Sequence, residues 1–298
     1  MMYIGMVMNN YDSDCINCVA NDSDIRKKPN KILFLFYKFF SKNIGGKKCF
    51  QKVFTYLDIL LLAGMNIGLG EDVNASGEIS FLNYLKSDLC ECENLIFFDV
   101  GANVGVYTNL IGTIFETENI AVHCFEPSKN TFEVLKKNVN LDNSMLNNFG
   151  LSNENKKATL YQDKELSGLS SLYKRRLDHL DIWMDNNEII ELYTMDYYCK
   201  KNDILKIDLL KIDVEGNEIK VLEGAKELLS QGKIQWIQFE FGGCNIDSKS
   251  YFQDFWYILH QNYRIYRVLP QNIYEITEYS EYLERFLTTN YVAEYKGK

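Results

Sequence analysis

The stretch Leu95-Ile-Phe-Phe-Asp-Val-Gly-Ala-Asn-Val-Gly105 decides the fold of this chain. Its first six residues form a short apolar run of the kind that a strand buried in a parallel sheet requires. Gly101 and Gly105 then permit a sharp turn, and apolar residues recur after them at helical spacing. The stretch therefore predicts a strand, a glycine turn and a helix, which is the opening unit of an open α/β sheet.

The same alternation continues toward the C-terminus. Further apolar runs predict strands at 120–125, 146–151, 208–214 and 234–241. Helical spacing predicts helices at 128–139 and 217–229. Alternating strands and helices form a mostly parallel sheet with helices on both faces. Two late runs, 263–269 and 286–295, are expected to close the sheet as an antiparallel pair.

The main domain is expected to begin near Asn94 and to comprise residues 94–298, where the alternation holds. An insertion at about 163–190 breaks this regularity with a mixed charge pattern. Residues 1–93 are predicted to form an N-terminal helical extension. Within it, residues 1–25 are polar and lack periodicity, so we expect them to be flexible.

The segment 26–52 differs from the rest of the chain, because it holds nine Lys/Arg and no Asp/Glu around the apolar run Ile32–Phe40. The favoured interpretation is a helix whose aromatic side chains pack on the main domain while its lysines face water. The alternative is an interfacial amphipathic helix attracted to anionic lipid. In that case the protein makes peripheral membrane contact through 26–52.

Composition restricts the partners and the compartment. The 298 residues carry a net charge of -9, which argues against nucleic acid as a partner. Eight scattered cysteines do not indicate a disulfide framework, and Cys15-x-x-Cys18 lacks the second pair of a zinc finger. No secretory signal is recognised, and the apolar runs fall short of the roughly 20 residues that span a bilayer. We expect a cytoplasmic protein, at the inner face of the membrane if 26–52 binds lipid.

The turn after the first strand indicates the ligand, because open α/β sheets bind ligands at the carboxyl ends of their strands. Asp99 offers a carboxylate there, and Gly101, Asn103 and Gly105 form the turn. The Gly-x-x-x-Gly spacing differs from the Gly-x-Gly-x-x-Gly that seats a dinucleotide pyrophosphate. An acidic turn suits S-adenosylmethionine, which has no phosphate and whose amino and sulfonium groups are positive.

Glu126 ends the second strand, 21 residues beyond Gly105. A carboxylate at this place accepts hydrogen bonds from the two ribose hydroxyls in nucleotide folds. Ser128, a predicted helix cap, and Leu151, at the end of the third strand, join the candidate cofactor-binding residues, as does Asp213. The turn and this carboxylate, in this order, predict an adenosyl cofactor.

Carboxylates also follow the later strands, with Asp213 and Glu215 after the fourth and Glu240 near the end of the fifth. Asp213 is the first candidate for a base that helps a weak nucleophile, and the other two are alternatives. His179, in the insertion, is the remaining catalytic candidate, whereas His123 is expected in the core. The three carboxylates could hold a divalent ion, but metal independence is the expectation.

Several motifs together resemble the FkbM family of S-adenosylmethionine-dependent methyltransferases: Asp99–Gly105, Phe125-Glu-Pro127, Ser167-Gly-Leu-Ser-Ser-Leu172 and Lys211-Ile-Asp-Val-Glu-Gly-Asn-Glu218. The similarity covers about residues 64–240 and includes Ser76-Gly-Glu78. The resemblance implies a Rossmann-like class I methyltransferase fold. It also implies O-methylation of a small-molecule or glycan acceptor, free or lipid-linked, of the capsule or lipopolysaccharide type. Asn217 stands where the family usually has Ala, which we expect to be a surface change.

Two rival hypotheses belong to other functional classes. A nucleotide-sugar or NAD-binding oxidoreductase on a similar sheet would need a phosphate-cradling turn, which the Gly101–Gly105 spacing does not provide. A non-catalytic membrane module would use only 26–52, but then the intact Asp99 and Glu126 would have no role. The sequence identifies neither the acceptor hydroxyl nor the oligomeric state.

Overall fold

A computed structural model of the chain describes residues 31–70, 76–115 and 120–297. The chain divides into two units, one formed by residues 1–64 and 277–282 and the other by 65–276 and 283–298. The division thus falls after Gly64, whereas the boundary near Asn94 stays a prediction. Cys15-x-x-Cys18 and the segment 1–25 lie outside the described residues.

Between residues 31 and 64, the described N-terminal part of the first unit contains two helices, α1 (Lys31–Asn43) and α2 (Gln51–Gly64), with the short 3-10 helix Lys48–Phe50 between them. Phe, Lys and Leu dominate α1, Leu is the commonest residue of α2, and Gly45 and Gly46 occupy the turn after α1. The rings of Phe40 and Phe54 join the two helices, with centroids 5.4 Å apart. Across the described part of the chain, no helix combines the length and the apolar character needed to span a membrane.

The second unit is built on the strands β1 (Leu95–Val100), β2 (Ile120–Phe125), β3 (Ser144–Asn147), β4 (Gly150–Leu151), β5 (Lys156–Gln162), β6 (Asn186–Tyr193), β7 (Ile207–Ile212), β8 (Ile234–Phe241), β9 (Tyr263–Val268), β10 (Ile273–Ile276) and β11 (Thr289–Tyr295). Its helices are α3 (Glu78–Asp88), α4 (Val106–Phe115), α5 (Lys129–Asn138), α6 (Met195–Lys201), α7 (Glu218–Glu223), α8 (Lys226–Ser230), α9 (Cys244–Ser248) and α10 (Phe252–Leu259).

Among the described residues, the main sheet has eight strands in the order β10-β9-β11-β8-β7-β1-β2-β3. The strands from β8 to β3 run parallel, whereas β11 lies antiparallel to both β8 and β9. The α/β fold with an antiparallel closing pair is therefore confirmed. The strand order reverses between β1 and β7, which places a crevice at their carboxyl ends.

Burial explains why the central strands are so apolar. All six residues of β7 are buried, and β1 leaves only Ile96 partly exposed, because both strands lie between layers of helices. Phe97, Leu209 and Trp236 pack in one cluster with side chains of α3 and α4. Only a few polar side chains, such as Asp99 and Lys211, interrupt this core.

Two local predictions differ from the structure, and one strand was not predicted. The predicted strand 146–151 is split between β3 and β4, which belong to different sheets. Strand β3 ends the main sheet, whereas β4 belongs to a small sheet with the order β4-β6-β5. The predicted helix 217–229 is two helices, α7 and α8, which are separated by Gly224 and by Ala225 with its non-helical backbone (φ -111°, ψ 20°). The strand β10 was not predicted, because it has only four residues and three of its side chains are at least partly exposed.

Candidate active site

A cavity of about 1010 Å³ opens at the carboxyl ends of the central strands. Eight of the residues predicted for the site line this cavity: Gly101, Asn103, Glu126, Leu151, His179, Asp213, Glu215 and Glu240. They come from different parts of the chain, and all belong to the second unit. The other predicted residues, Asp99, Gly105 and Ser128, are buried behind the wall of the cavity.

The turn after β1 lies against the segment that follows β7. Gly101 has φ 86°, and a Cβ there would overlap the carbonyl oxygen of Asp213. The backbone N–H of Asp213 donates to the carbonyl oxygen of Val100 at 2.9 Å. Glycine is required because the two backbones approach so closely, and this approach brings the predicted cofactor turn beside the carboxylates.

Glu126 is held by the backbone on both sides of its carboxylate. Oε2 accepts from the N–H of Asn103 at 3.1 Å and Oε1 from the N–H of Ser128 at 2.8 Å. Burial raises the pKa of Glu126 to about 7, although these two hydrogen bonds oppose the rise. Each oxygen has a further lone pair for a ligand hydroxyl, because a carboxylate offers about four acceptor sites.

Asn103 supplies an acceptor that lacks a donor. Its backbone is left-handed, with φ 48°, and its Oδ1 is buried without a hydrogen-bond partner among the described residues. Buried polar atoms are normally paired, so this oxygen indicates a donor that a ligand brings. An adenosyl cofactor with its hydroxyl and ammonium donors fits this arrangement.

Asp99 is buried behind the wall of the cavity. Its side chain faces α4, where Thr108 Oγ1 donates to Oδ2 at 2.6 Å, and it is fully buried. Lys211 Nζ lies 3.8 Å from Oδ1. Burial raises the pKa of Asp99, and the charge of Lys211 opposes this. Asp99 does not line the cavity, and its Oδ1 has no hydrogen-bond partner among the described residues, so its contact with a ligand ammonium stays a prediction.

Lys211 is the buried cation of the site. Its Nζ lies 3.1 Å from Asp213 Oδ2 and 4.7 Å from the centroid of the Tyr107 ring. Burial lowers the pKa of Lys211, but the charges of Asp213, Asp99 and Glu78 outweigh it and raise the pKa above its ordinary value. Lys211 therefore stays protonated and fixes the carboxylates around it.

Glu78 is a cavity residue that the sequence analysis missed. Its Oε1 accepts from Gln238 Nε2 at 2.8 Å, and its Oε2 accepts from Ser76 Oγ at 3.3 Å. Burial raises its pKa above the ordinary value of 4.5. The sequence held a signal for Glu78, because Ser76-Gly-Glu78 is part of the similarity to the FkbM family. Gly77, with φ 90°, precedes the first residue of α3.

Asp213, Glu215 and Glu240 form a carboxylate cluster, with one oxygen of each lying within 4.8 Å of the others. Lys211 pairs with Asp213, and Arg175 Nη1 lies 2.5 Å from Glu215 Oε2. Burial, followed by the charges of Asp213 and Glu215, raises the pKa of Glu240 well above its ordinary value. The cluster thus contains two ion pairs, and its third carboxyl group, that of Glu240, has a raised pKa and no cation partner among the described residues.

The insertion covers this cluster. Ser171 Oγ donates to the carbonyl oxygen of Glu215 at 2.6 Å. Arg175, with a side chain only 8% exposed, comes from the same segment, and no sequence signal distinguished it from its neighbour Arg176. His179 lies in the 3-10 helix Asp178–Leu180 and lines the cavity. The segment therefore forms a wall of the cavity opposite the strand ends.

The remaining predicted residues have supporting positions. Ser128 stands at the N-cap of α5, but its Oγ accepts from Gln162 Nε2 at 3.2 Å and makes no cap hydrogen bond. Gly105 has φ 89°, and a Cβ there would press on Val139 and Leu135. Both residues are buried and neither lines the cavity, so a direct contact with a cofactor stays a prediction for each.

His123 and Asn217, which were not predicted as site residues, are both buried. His123 Nδ1 lies 2.8 Å from the Tyr198 hydroxyl, and burial lowers its pKa to about 4, which confirms a core residue. Asn217 is buried, and its Nδ2 donates to the carbonyl oxygen of Leu151 at 3.2 Å. The expectation of a surface change at Asn217 was therefore wrong, because this side chain fixes the strand end that carries Leu151.

The parallel sheet, its antiparallel β11 and the cavity at the strand ends together define a class I methyltransferase fold. The sequence profile of the Methyltransferase FkbM domain matches residues 99–266, which is more than half of the chain. The chain belongs to the FkbM methyltransferase family. This membership leaves the oxidoreductase alternative without support. No match is found among curated proteins.

Solved structures of methyltransferases resemble the chain at low identity. Methyltransferase FkbM from Methylobacillus flagellatus KT is 16% identical, with a TM-score of 0.40 over 67% of this chain and 43% of that one. This chain thus spans less than half the length of that protein. An O-methyltransferase from Bacillus cereus, in complex with SAH, is 11% identical, with a TM-score of 0.41 over 87% and 96% of the two chains. The plantazolicin methyltransferase BpumL in complex with SAH is 10% identical, with a TM-score of 0.38 over 90% and 100%.

Proposed function

We propose that the protein is an S-adenosylmethionine-dependent O-methyltransferase that acts on a hydroxyl of a sugar in a surface glycan. One observation carries the proposal: the acceptors of Glu126 and Asn103 share a cavity with the carboxylates of Asp213, Glu215 and Glu240. The first pair suits the cofactor, and the three carboxylates suit a hydroxyl acceptor. The glycan nature of the acceptor rests on the family resemblance.

The cofactor half of the cavity is proposed from the donors and acceptors that line it. Glu126 accepts the ribose hydroxyls, Asn103 Oδ1 takes a donor that the chain does not provide, and Leu151 contacts the adenine ring. Glu78 receives the ammonium group, because its carboxylate reaches the cavity. When bound, S-adenosylmethionine supplies an electrophilic methyl group.

The acceptor half has both space and polar groups. A volume of about 1010 Å³ lies at the upper end of the roughly 300–1,000 Å³ typical of small-molecule sites. The carboxylates and His179 offer acceptors for several hydroxyls, which suits a polyol. Ion pairs with Arg175 and Lys211 fix the carboxylates of Glu215 and Asp213, respectively, and limit their movement.

Glu240 is the proposed proton acceptor. Asp213 and Glu215 are each engaged by a cation, whereas no ion pair is found for Glu240 in the described part of the chain. A raised pKa makes a carboxylate a stronger base toward a weakly acidic hydroxyl, once it is ionised. The sequence favoured Asp213 as the base. In this arrangement Asp213 instead orients the acceptor hydroxyl by accepting a hydrogen bond from it.

The cofactor assignment is tested by calorimetric titration with S-adenosylhomocysteine. Glu126→Ala should weaken binding by about 100-fold, because hydrogen bonds to a charged group each contribute roughly 1.5–3 kcal/mol. Glu133→Ala, on the exposed side of α5 in a pair with Lys136, is the matched control and should bind like the wild type. A folded wild-type protein that binds NAD but not S-adenosylhomocysteine would contradict the proposal.

The base assignment is tested by transfer of labelled methyl groups to a panel of sugars and their methyl ethers. Glu240→Gln should lower kcat by about 100-fold or more at unchanged affinity for S-adenosylhomocysteine. Asp213→Asn should raise KM for the acceptor more than it lowers kcat. The reverse pattern would assign the base to Asp213, and labelling of the ethers in place of the free sugars would exclude a hydroxyl acceptor.

A further inference from the structure

Helices α1 and α2 expose an unusual amount of apolar surface. On α1, Leu35, Phe36 and Phe39 are 65%, 64% and 62% exposed. On α2, Tyr56, Leu60 and Leu61 are 74%, 66% and 63% exposed. Large exposed apolar patches mark surfaces that bind a partner or a membrane.

Exposed apolar residues lie on more than one side of α2. Consecutive residues on a helix point about 100° apart, and the three consecutive residues Ile59, Leu60 and Leu61 are all exposed. Leu62 is the buried member of this helix. A helix that is apolar on several sides is normally covered by protein or by lipid.

The positive charge of residues 31–57 indicates which kind of partner binds the two helices. Residues 31–57 contain six lysines and no acidic residue, whereas the rest of the chain carries a net charge of -15. Two copies of a segment with six positive charges repel each other, which disfavours self-association through it. An anionic lipid surface attracts the segment and also accepts its apolar side chains.

We propose that residues 31–64 bind the surface of an anionic membrane. The 14 residues of α2 span about 21 Å at 1.5 Å per residue. This is shorter than the hydrocarbon core of about 30 Å, so the helices lie in the interface with their apolar side chains in the acyl region and their lysines at the headgroups. The proposal does not depend on the proposed function.

The test is sedimentation of the full-length protein with vesicles of phosphatidylcholine alone or with 30% phosphatidylglycerol. Binding to the anionic vesicles should be at least about tenfold tighter and should weaken in 0.5 M salt. Lys47→Glu/Lys48→Glu should lose at least about tenfold of this binding. Lys226→Glu/Lys233→Glu, which makes the same change in net charge on the second unit, should lose much less.

A separate variant tests the apolar contribution. Leu60→Ser/Leu61→Ser replaces exposed side chains, so its thermal melting should match the wild type while its binding to anionic vesicles falls. Equal binding to both vesicle types, or unchanged binding by Lys47→Glu/Lys48→Glu, overturns the proposal. A dimer in analytical ultracentrifugation that these serines abolish, without vesicle binding, assigns the surface to a second copy. Binding of S-adenosylhomocysteine should be unaffected throughout, so it reports on the cavity alone.

Discussion

Lys211 illustrates how one buried cation can organise a site. It faces Asp99, which is fully buried, and Asp213, which lines the cavity. Removing one partner of a buried ion pair leaves an uncompensated charge in a medium that solvates it poorly. We therefore expect loss of Lys211 to lower the stability of the fold, whatever its effect on the reaction.

Lys211→Met should lower the free energy of unfolding by about 3–5 kcal/mol in urea denaturation. Lys220→Met is the matched control, since Lys220 pairs with Glu223 at 2.9 Å on the surface and such pairs contribute about 0–1 kcal/mol. Equal losses in the two variants would show that Asp99 does not depend on Lys211.

The raised pKa of Glu126 predicts how the free energy of unfolding changes with pH. The folded-state pKa of about 7 exceeds the ordinary 4.5, so between these values the folded chain holds a proton that the unfolded chain releases. The stabilisation from Glu126 is therefore fully present below pH 4.5 and is lost as the pH rises through about 7.

Glu126→Gln should remove this contribution. The wild type should lose about 1.4 kcal/mol per pH unit more than the variant between pH 5 and 6.5, measured as the free energy of unfolding. His123 and Glu218 also have shifted pKa values, to about 4 and about 7, but both proteins share them. Parallel pH profiles for the two proteins would mean that Glu126 ionises normally in the folded state.

At the scale of elements, the turn after β1 is the least replaceable part of the site. Gly101→Ala would place a Cβ on the carbonyl oxygen of Asp213 at a positive φ. The variant should lose about 2 kcal/mol or more of unfolding free energy and most of its affinity for S-adenosylhomocysteine. Gly168→Ala also lines the cavity, but its Cβ would meet only Asn103 Nδ2 at 3.8 Å, so it should retain both. Equal tolerance of both substitutions would contradict the close approach of the two backbones.

The sequence predicted the strands that are buried on both faces, because their apolar runs are continuous. It also predicted the residues that follow those strands, Glu126, Asp213 and Glu215, since chain order fixes which residues reach the carboxyl edge. It did not predict which way Asp99 points, because α4 and β7 decide that. Arg175 and the split of 146–151 were equally hidden, since both depend on contacts between distant segments.

At the scale of the whole molecule, the residues that line the cavity all belong to the second unit. A chain that begins at Met65 should therefore bind S-adenosylhomocysteine within about threefold of the full-length affinity, as measured by calorimetry. The same chain should lose the binding to anionic vesicles. Loss of S-adenosylhomocysteine binding by a folded shortened chain would mean that residues before Met65 contribute to the cavity.

The position of β11 affects how the protein is made. This strand fills the gap between β8 and β9, although it is synthesised after both. Until it emerges from the ribosome, β8 and β9 each present an open edge that can pair with another chain. Aggregation of nascent chains is thus most probable late in translation, and chaperones that shield strand edges should raise the yield of native protein most during that interval.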